Sequence, residues 1–243
     1  MIYFLTSSPF LPDACLLNPA NGQIDHLRRV LAAKCAGVFI CSDPDRHDFT
    51  DYIANDMRIA LEAAGFSFSS WRILDGRNEA EAAALVGQAG LIVLAGGHVP
   101  TQNAFFQRIG LAKILKGYHG VLLGISAGTM NCCDPVYAQP EEPGEAIDPG
   151  YQRFISGLGV TATMILPHYQ KVRDSYVDGL RLFEEITYPD SLGRTFYALP
   201  DGSYLLGEQG TETIYGEAYR IRDGKMERIS GPGEAFHFEV KEA

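Results

Sequence analysis

Basic residues are scarce in this sequence of 243 residues, in which 30 Asp and Glu outnumber 20 Lys and Arg and leave a net charge of −10. Without a basic surplus the chain has little with which to neutralise phosphate groups. We therefore expect neither a nucleic acid nor an anionic membrane as a partner. Recognition of an acidic substrate would need a local cation, because the chain as a whole repels negative charge.

Long apolar runs and cysteine pairs are also missing. No run approaches the roughly 20 apolar residues that cross a bilayer. The N-terminal segment MIYFLTSSPF has no basic stretch, so it is typical of a first strand and not of a signal peptide. The five cysteines form no C-x-x-C pair, which favours reduced thiols over a disulfide framework. No His/Cys/Asp cluster has metal-ligand spacing. We expect a soluble, cytoplasmic protein with no metal and no cofactor.

Short apolar runs alternate with helical patterns through the first half of the chain. Strands are predicted at residues 2–6, 38–41, 66–74, 91–95 and 121–123, and helices at 23–34, 51–64, 79–87 and 103–115. This alternation predicts an α/β fold with a parallel sheet and helices on both faces. Ligands of such sheets bind beyond the carboxyl ends of the strands.

The second half of the chain has a different pattern. It begins with a long irregular loop at residues 134–150, of the kind that often forms a lid or binding loop. A strand at 160–166 and a helix at 175–185 come next, and the strands predicted after them are 196–199, 203–206, 211–215 and 218–222. The pairs Asp201-Gly202 and Asp223-Gly224 are hairpin signals. With no linker or repeat, we predict a single domain over residues 1–243.

The motif with the clearest chemistry is Gly124-Ile125-Ser126-Ala127-Gly128, which follows the apolar run at 121–123. A strand that leads into G-x-S-x-G is typical of a nucleophile elbow, where the serine lies on a sharp turn between strand and helix. A serine hydroxyl needs a base that an acid orients. His168 and Asp201 each follow a predicted strand, so we expect the three side chains at one edge of one sheet.

Three segments together resemble the peptidase E family, serine peptidase family S51: GISAGT, ILPHY around His168 and ALPDG around Asp201. The resemblance implies a flavodoxin-like, doubly wound, mostly parallel sheet of the class I glutamine amidotransferase type, here with C-terminal β-hairpins. It also implies Ser126 as nucleophile, His168 as general base and Asp201 as the orienting acid. The substrate would be a small peptide, such as an Asp-X dipeptide. Whether the protein forms a homodimer is left open.

The resemblance implies further roles around the elbow. The family has a glycine-rich segment whose backbone helps to form an oxyanion hole. The resemblance therefore implies that the backbone N–H groups of Gly97 and Ala127 are the oxyanion donors. His98 and Asn103 follow in that segment and are candidates for substrate contact. Aspartyl dipeptidases hold the acidic side chain with an arginine after the catalytic histidine. Arg173 is the candidate here, with Lys171 and Arg181 as alternatives.

Two other functions remain open from the sequence. One is an esterase of the α/β-hydrolase type that uses His237 as a base late in the chain. The other is a domain of the glutamine amidotransferase type that binds a ligand without turnover. A serine at the elbow argues against ammonia transfer, because the glutaminase members use cysteine there.

Overall fold

Five parallel strands form the centre of the main sheet in the computed structural model, which describes residues 1–239. They are β1 (Ile2–Thr6), β2 (Cys35–Ile40), β3 (Phe68–Leu74), β4 (Leu91–Leu94) and β5 (Val121–Ile125). Their order across the sheet is β1-β5-β4-β2-β3. All of β4 is buried, and only the last residue of β5 is not. Both strands are apolar runs because helices cover both of their faces.

Two separate groups of helices cover the two faces of this sheet. The helices are α1 (Gln23–Val30) and α2 (His47–Ala63) on one face, and α3 (Ala82–Gln88), α4 (Val99–Arg108) and α5 (Leu111–Leu115) on the other. The spacing of buried residues in α2, at Ala54, Met57 and Leu61, is that of a helix with one apolar stripe. The predicted doubly wound arrangement is confirmed.

Three antiparallel strands extend the main sheet beyond β1. They are β12 (Tyr204–Glu208), β13 (Thr211–Tyr215) and β16 (Ala235–Glu239), which give the sheet order β16-β13-β12-β1 on this side. The strand β12 pairs directly with β1, with Tyr204 opposite Thr6. The C-terminal part of the chain therefore adds to the sheet that carries the elbow.

A second sheet has four strands and a parallel pair at one side. In chain order its strands are β8 (Met164–Leu166), β11 (Thr195–Ala198), β14 (Ala218–Arg222) and β15 (Lys225–Ser230). The parallel pair is β8 and β11. A third apolar cluster packs this sheet against α6 (Ala127–Met130), the helix that begins at the elbow. The packing sets the second sheet next to the end of β5.

Short elements complete the described chain. They are β6 (Val136–Tyr137), β7 (Phe154–Ile155), β9 (Tyr176–Val177), β10 (Leu180–Arg181), α7 (Tyr169–Val172), α8 (Tyr188–Asp190), a π-helical turn (Leu182–Thr187) and two 3₁₀ turns (Ala20–Gly22, Glu79–Glu81). Among the helices of residues 1–239, none has the length and apolarity needed to cross a membrane.

The helix predicted at 175–185 is wrong. The segment forms the hairpin of β9 and β10 and only then enters the π-helical turn at Leu182–Thr187. The hairpin turn is Asp178-Gly179, and both residues have positive φ, 51° and 82°. A D-G pair between apolar residues is a hairpin signal, and it overrides the weak helical periodicity of its neighbours.

The turn at Asp201-Gly202 is not a hairpin either. It joins β11 of the second sheet to β12 of the main sheet. The pair Asp223-Gly224 does join two paired strands, β14 and β15, as predicted. The expectation that Ser126, His168 and Asp201 extend from one sheet is therefore wrong. Ser126 follows a strand of the main sheet, whereas His168 and Asp201 follow the parallel pair of the second sheet.

Candidate active site

Ser126 lies at the junction of β5 and α6 with a strained backbone, φ 51° and ψ −111°. Positive φ is unusual for a residue with a side chain and is found where surrounding structure enforces it. Here the Ser126 N–H donates to the Thr6 carbonyl (3.1 Å), and the Ser126 carbonyl accepts from the Met130 N–H (3.0 Å). Both bonds hold the turn, so the hydroxyl is fixed by the backbone.

The two glycines of the motif are required by close backbone packing. A Cβ on Gly128 would lie 2.5 Å from the Leu94 carbonyl oxygen, and one on Gly124 would lie 3.0 Å from Cα of Thr129. Because backbone atoms cannot move aside as a flexible side chain can, only glycine fits at Gly128, and a side chain at Gly124 would crowd the backbone of α6. The glycines of the G-x-S-x-G pattern are therefore a consequence of the tight turn between β5 and α6.

His168 contacts Ser126 from the other sheet. It follows β8 in the left-handed conformation, with φ 59° and ψ 27°, and begins α7. Its Nε2 lies 2.8 Å from Ser126 Oγ. This distance and the partly buried setting suit proton transfer between the hydroxyl and the imidazole.

Asp201 contacts the other ring nitrogen of His168. Asp201 Oδ1 lies 2.6 Å from His168 Nδ1, and Lys171 Nζ lies 2.8 Å from Asp201 Oδ2. Burial by itself would raise the pKa of Asp201, but hydrogen bonds from His168, Lys171 and Ser7 outweigh it and hold this pKa well below the usual carboxyl range. The carboxylate is therefore ionised at neutral pH, when it can accept the Nδ1–H of His168 and leave Nε2 free to accept a proton.

Ser7 is a contact of this group that the sequence reasoning missed. It follows β1 and is fully buried. Its Oγ donates to Asp201 Oδ1 (2.7 Å) and accepts the backbone N–H of His168 (2.7 Å). One hydroxyl from the main sheet thus holds both residues of the second sheet. A Thr-Ser pair at the end of a first strand carries no motif, so the sequence offered no signal for it.

We expect Ser7→Ala to lower kcat/KM by about 10-fold to 100-fold, the cost of one lost hydrogen bond to a charged group plus an unpaired buried N–H. The loss should fall mainly on kcat, because Ser7 contacts His168 and Asp201 and does not line the pocket in front of Ser126. Ser8→Ala, the adjacent substitution, is the control, and steady-state kinetics are the measurement. Equal activity of both variants would remove the positioning role from Ser7.

An open pocket lies in front of Ser126, and we call it the Ser126 pocket. It has a volume of about 240 Å³. Its lining residues are Gly97, Val99, Ser126, Met130, Gln139, Pro140, Glu141, Pro167, His168, Val172, Ser175, Tyr176, Val177 and Leu182. Three of them come from the long loop predicted at residues 134–150, which places that loop at the site as expected.

The backbone amides of Gly97 and Ala127 are placed near Ser126 by the two central strands. Gly97 follows β4 and lines the Ser126 pocket, and Ala127 is the first residue of α6. Among the described residues neither N–H has a protein acceptor. A side chain at Gly97 would clash with Ser42, because a Cβ there would lie 2.5 Å from Ser42 Cβ. Two free N–H groups beside a serine hydroxyl are the elements of an oxyanion hole.

His98 is not among the residues that line the pocket, and it holds the long loop. Its Nδ1 lies 2.8 Å from Thr101 Oγ1, and its Nε2 lies 2.8 Å from Glu145 Oε1. The second oxygen of Glu145 accepts the backbone N–H groups of Glu141 (2.9 Å) and Glu142 (3.0 Å). His98 was predicted to contact substrate directly, whereas its Nε2 holds this loop through Glu145 and its Nδ1 contacts Thr101 in α4.

Asn103 and Arg173 also lie outside the residues that line the Ser126 pocket. Asn103 is buried, and its amide donates to Asn131 Oδ1 and to the Ser156 carbonyl, both at 2.9 Å. Arg173 lies on the surface, where its Nε donates to Asp174 at 2.9 Å. The hydrogen bonds of Asn103 stabilise the fold, and Arg173 binds a neighbouring carboxylate.

His98, Glu142 and Glu145 bring three potential metal-ligand atoms within 4.8 Å of one another. The sequence analysis found no such group, since Glu145 lies 47 positions after His98. Both oxygens of Glu145 already accept hydrogen bonds, from His98 and from the amides of residues 141 and 142. The anchor of the loop is therefore the pair of side chains His98 and Glu145.

His237 lies far from Ser126. It is on β16, the edge strand of the main sheet, and its Nδ1 is 2.9 Å from Thr213 Oγ1. Four strand spacings separate β16 from β5, which is about 19 Å at the usual distance between strands. A base at His237 would not reach the serine.

Two solved structures match nearly the whole chain. A peptidase from an acI-B1 Actinobacterium has a TM-score of 0.62 and 18% sequence identity, over 98% of this chain and 96% of that one. A candidate peptidase E from Listeria monocytogenes EGD-e has a TM-score of 0.58 and 16% identity, over 94% of this chain and 98% of that one. No protein-family model matches the chain, and a search of curated proteins found no match either.

The chain thus has an α/β fold of the peptidase E type. The fold and the resemblance of the three segments around Ser126, His168 and Asp201 agree with one another, although they rest on different observations.

Proposed function

We propose that this protein is a serine-type peptidase that hydrolyses small peptides through an acyl-enzyme on Ser126. The observation that carries the proposal is the continuous chain of hydrogen-bond contacts from Ser126 Oγ to His168 Nε2 (2.8 Å) and from His168 Nδ1 to Asp201 Oδ1 (2.6 Å). This is the arrangement of a nucleophile, a base and an orienting acid. The peptidases among the structural neighbours support the same reaction class.

The first half of the reaction acylates the serine. Ser126 Oγ attacks the carbonyl carbon of the peptide bond while its proton passes to His168 Nε2, and the N–H groups of Gly97 and Ala127 stabilise the developing oxyanion. The tetrahedral intermediate collapses when the C–N bond breaks and His168 gives its proton to the leaving amine. The acyl group stays on Ser126, and Asp201 stabilises the imidazolium that exists between the two proton transfers.

The second half returns the enzyme to its starting state. Water attacks the ester carbonyl, and His168 takes a proton from it. The second tetrahedral intermediate releases the acid when the bond to Ser126 Oγ breaks, and His168 returns the proton to the serine. No other group is needed for this cycle, since the proton accepted in each half is given back.

A fluorophosphonate probe tests the proposal without knowledge of the substrate. Intact-mass spectrometry of the probe-treated protein should show one adduct, which peptide mapping places on Ser126, and the adduct should be missing in Ser126→Ala. A library of dipeptides followed by mass spectrometry should then show cleavage that depends on Ser126. If the protein neither reacts with the probe nor cleaves any peptide or ester, a ligand-binding domain explains the fold better.

A further inference from the structure

The charge of the Ser126 pocket differs from what an acidic substrate requires. Among its lining residues, all of which lie in the described part of the chain, there is no lysine or arginine, and Glu141 bears the one carboxylate. Arg173, the cation that an aspartyl side chain would need, is outside this lining and bonds to Asp174. A substrate carboxylate would therefore meet a like charge in the pocket and no partner.

Glu141 is held in place by its backbone. Its N–H donates to Glu145 Oε2 (2.9 Å), and Glu145 is held in turn by His98 through its other oxygen (2.8 Å). Asp178, in the β9–β10 turn, fixes the same loop by accepting the N–H groups of Gly144 (2.7 Å) and Ala146 (2.9 Å). The loop backbone that carries Glu141 is thus held by contacts with two other parts of the chain.

The Glu141 carboxylate itself is left without a partner. Within residues 1–239, no side-chain or backbone donor forms a hydrogen bond or ion pair with it. Its surroundings raise its pKa, first by desolvation, while the nearby His98 acts in the opposite direction. Glu141 is exposed to solvent at the pocket, so its carboxylate is open to a ligand that brings a positive charge and N–H donors.

The remaining lining of the pocket suits such a ligand. Val99, Met130, Val172 and Leu182 contribute apolar contact area, and Gln139, Ser175 and Tyr176 contribute polar groups. The net charge of −10 also favours the approach of cations. An ammonium group is the chemistry that matches the single carboxylate among these lining residues.

We propose that Glu141 determines specificity by binding an ammonium group of the substrate in the Ser126 pocket. The proposal rests on the proposed peptidase function and names its substrate class, a peptide whose reacting part is cationic and not acidic. The ammonium comes from a free α-amino group or from a lysine side chain, and the two sources give different results below.

Coumarylamide substrates in matched pairs test the proposal. Alanine coumarylamide and its N-acetyl form differ in the α-amino group, and N-acetyl-lysine and N-acetyl-norleucine coumarylamides differ in the side-chain ammonium. For the pair that the pocket discriminates, Glu141→Gln should lower kcat/KM of the cationic member by about 10-fold to 100-fold and leave the neutral member within about 2-fold. The identity of that pair shows where the ammonium comes from.

Glu142→Gln is the matched control. It removes the same charge from the next residue of the loop, which is outside the pocket lining, and should leave both members of each pair unchanged. Glu141→Lys should reverse the preference and raise the relative turnover of aspartate coumarylamide. Equal loss on cationic and neutral substrates, or a wild-type preference for aspartate, would overturn the proposal while the serine mechanism stands.

A binding measurement keeps the proposal testable if no coumarylamide is cleaved. In Ser126→Ala, alaninamide and lysinamide should bind more tightly than their fully N-acetylated forms by calorimetry or NMR titration. Adding Glu141→Gln should abolish that difference. If the difference persists without the carboxylate, or never occurs, Glu141 is not the ammonium site. Labelling of Ser126 by the fluorophosphonate probe reports separately on the proposed function.

Discussion

Ser126→Ala and His168→Ala are each expected to lower kcat of peptide hydrolysis by about 10⁶-fold, and the double variant is expected to be no slower than either single one. The nucleophile and its base act as one unit, so removal of either leaves only the contribution of binding and the oxyanion hole. The contact between His168 Nε2 and Ser126 Oγ, 2.8 Å, is the physical basis for this non-additivity. Steady-state kinetics on the best substrate of the dipeptide library are the measurement.

Two other histidines are the controls for this series. His237 is on the edge strand β16 and His119 is exposed before β5, so His237→Ala and His119→Ala should keep activity within about 2-fold of the wild type. Circular dichroism spectra should match for all variants. Independent, additive losses from Ser126 and His168 would speak against a shared catalytic unit, and loss in His237→Ala alone would favour the esterase alternative.

The parallel sheet could be predicted from the sequence because its strands leave a strong signal. β4 and β5 are short apolar runs between amphipathic helices, and burial on both faces requires that pattern. The elbow was predictable for a related reason. Gly124 and Gly128 are fixed by backbone atoms of Thr129 and Leu94, so the tight turn is recorded in the motif itself.

The division of the site between two sheets could not be predicted. Ser126 follows a strand of the main sheet, whereas His168 and Asp201 follow β8 and β11 of the second. Each of these strands looks the same in the sequence, as a short apolar run followed by a polar residue. Which sheet a strand joins depends on pairings between distant segments, such as β12 with β1, that no local pattern records.

The roles of the residues around the site were harder still to predict, because they depend on partners remote in sequence. His98 meets Glu145, 47 positions later, and Ser7 meets Asp201, 194 positions later. A histidine beside a glycine pair therefore suggested substrate contact, although one of its nitrogens contacts α4 and the other holds a loop. The place of Glu141 in the pocket lining could likewise not be predicted, since it depends on how the loop folds against the site.

Asp201→Asn is expected to lower kcat by about 10⁴-fold while the protein stays folded, because the amide can donate to His168 Nδ1 and so favour the tautomer whose Nε2 carries a proton. That tautomer cannot accept the Ser126 proton. The substitution also removes the carboxyl whose pKa, despite burial, is lowered in the folded protein by hydrogen bonds from His168, Lys171 and Ser7. A group with a lowered folded pKa stabilises the fold above its ordinary value of about 4, and this contribution is lost as the pH falls. The difference in unfolding free energy between wild type and variant should therefore shrink below about pH 4, which urea titrations at several pH values measure.

Asp174→Asn, at an exposed position, controls for the loss of a carboxyl elsewhere. A variant that keeps more than a tenth of the activity would show that His168 is oriented without Asp201.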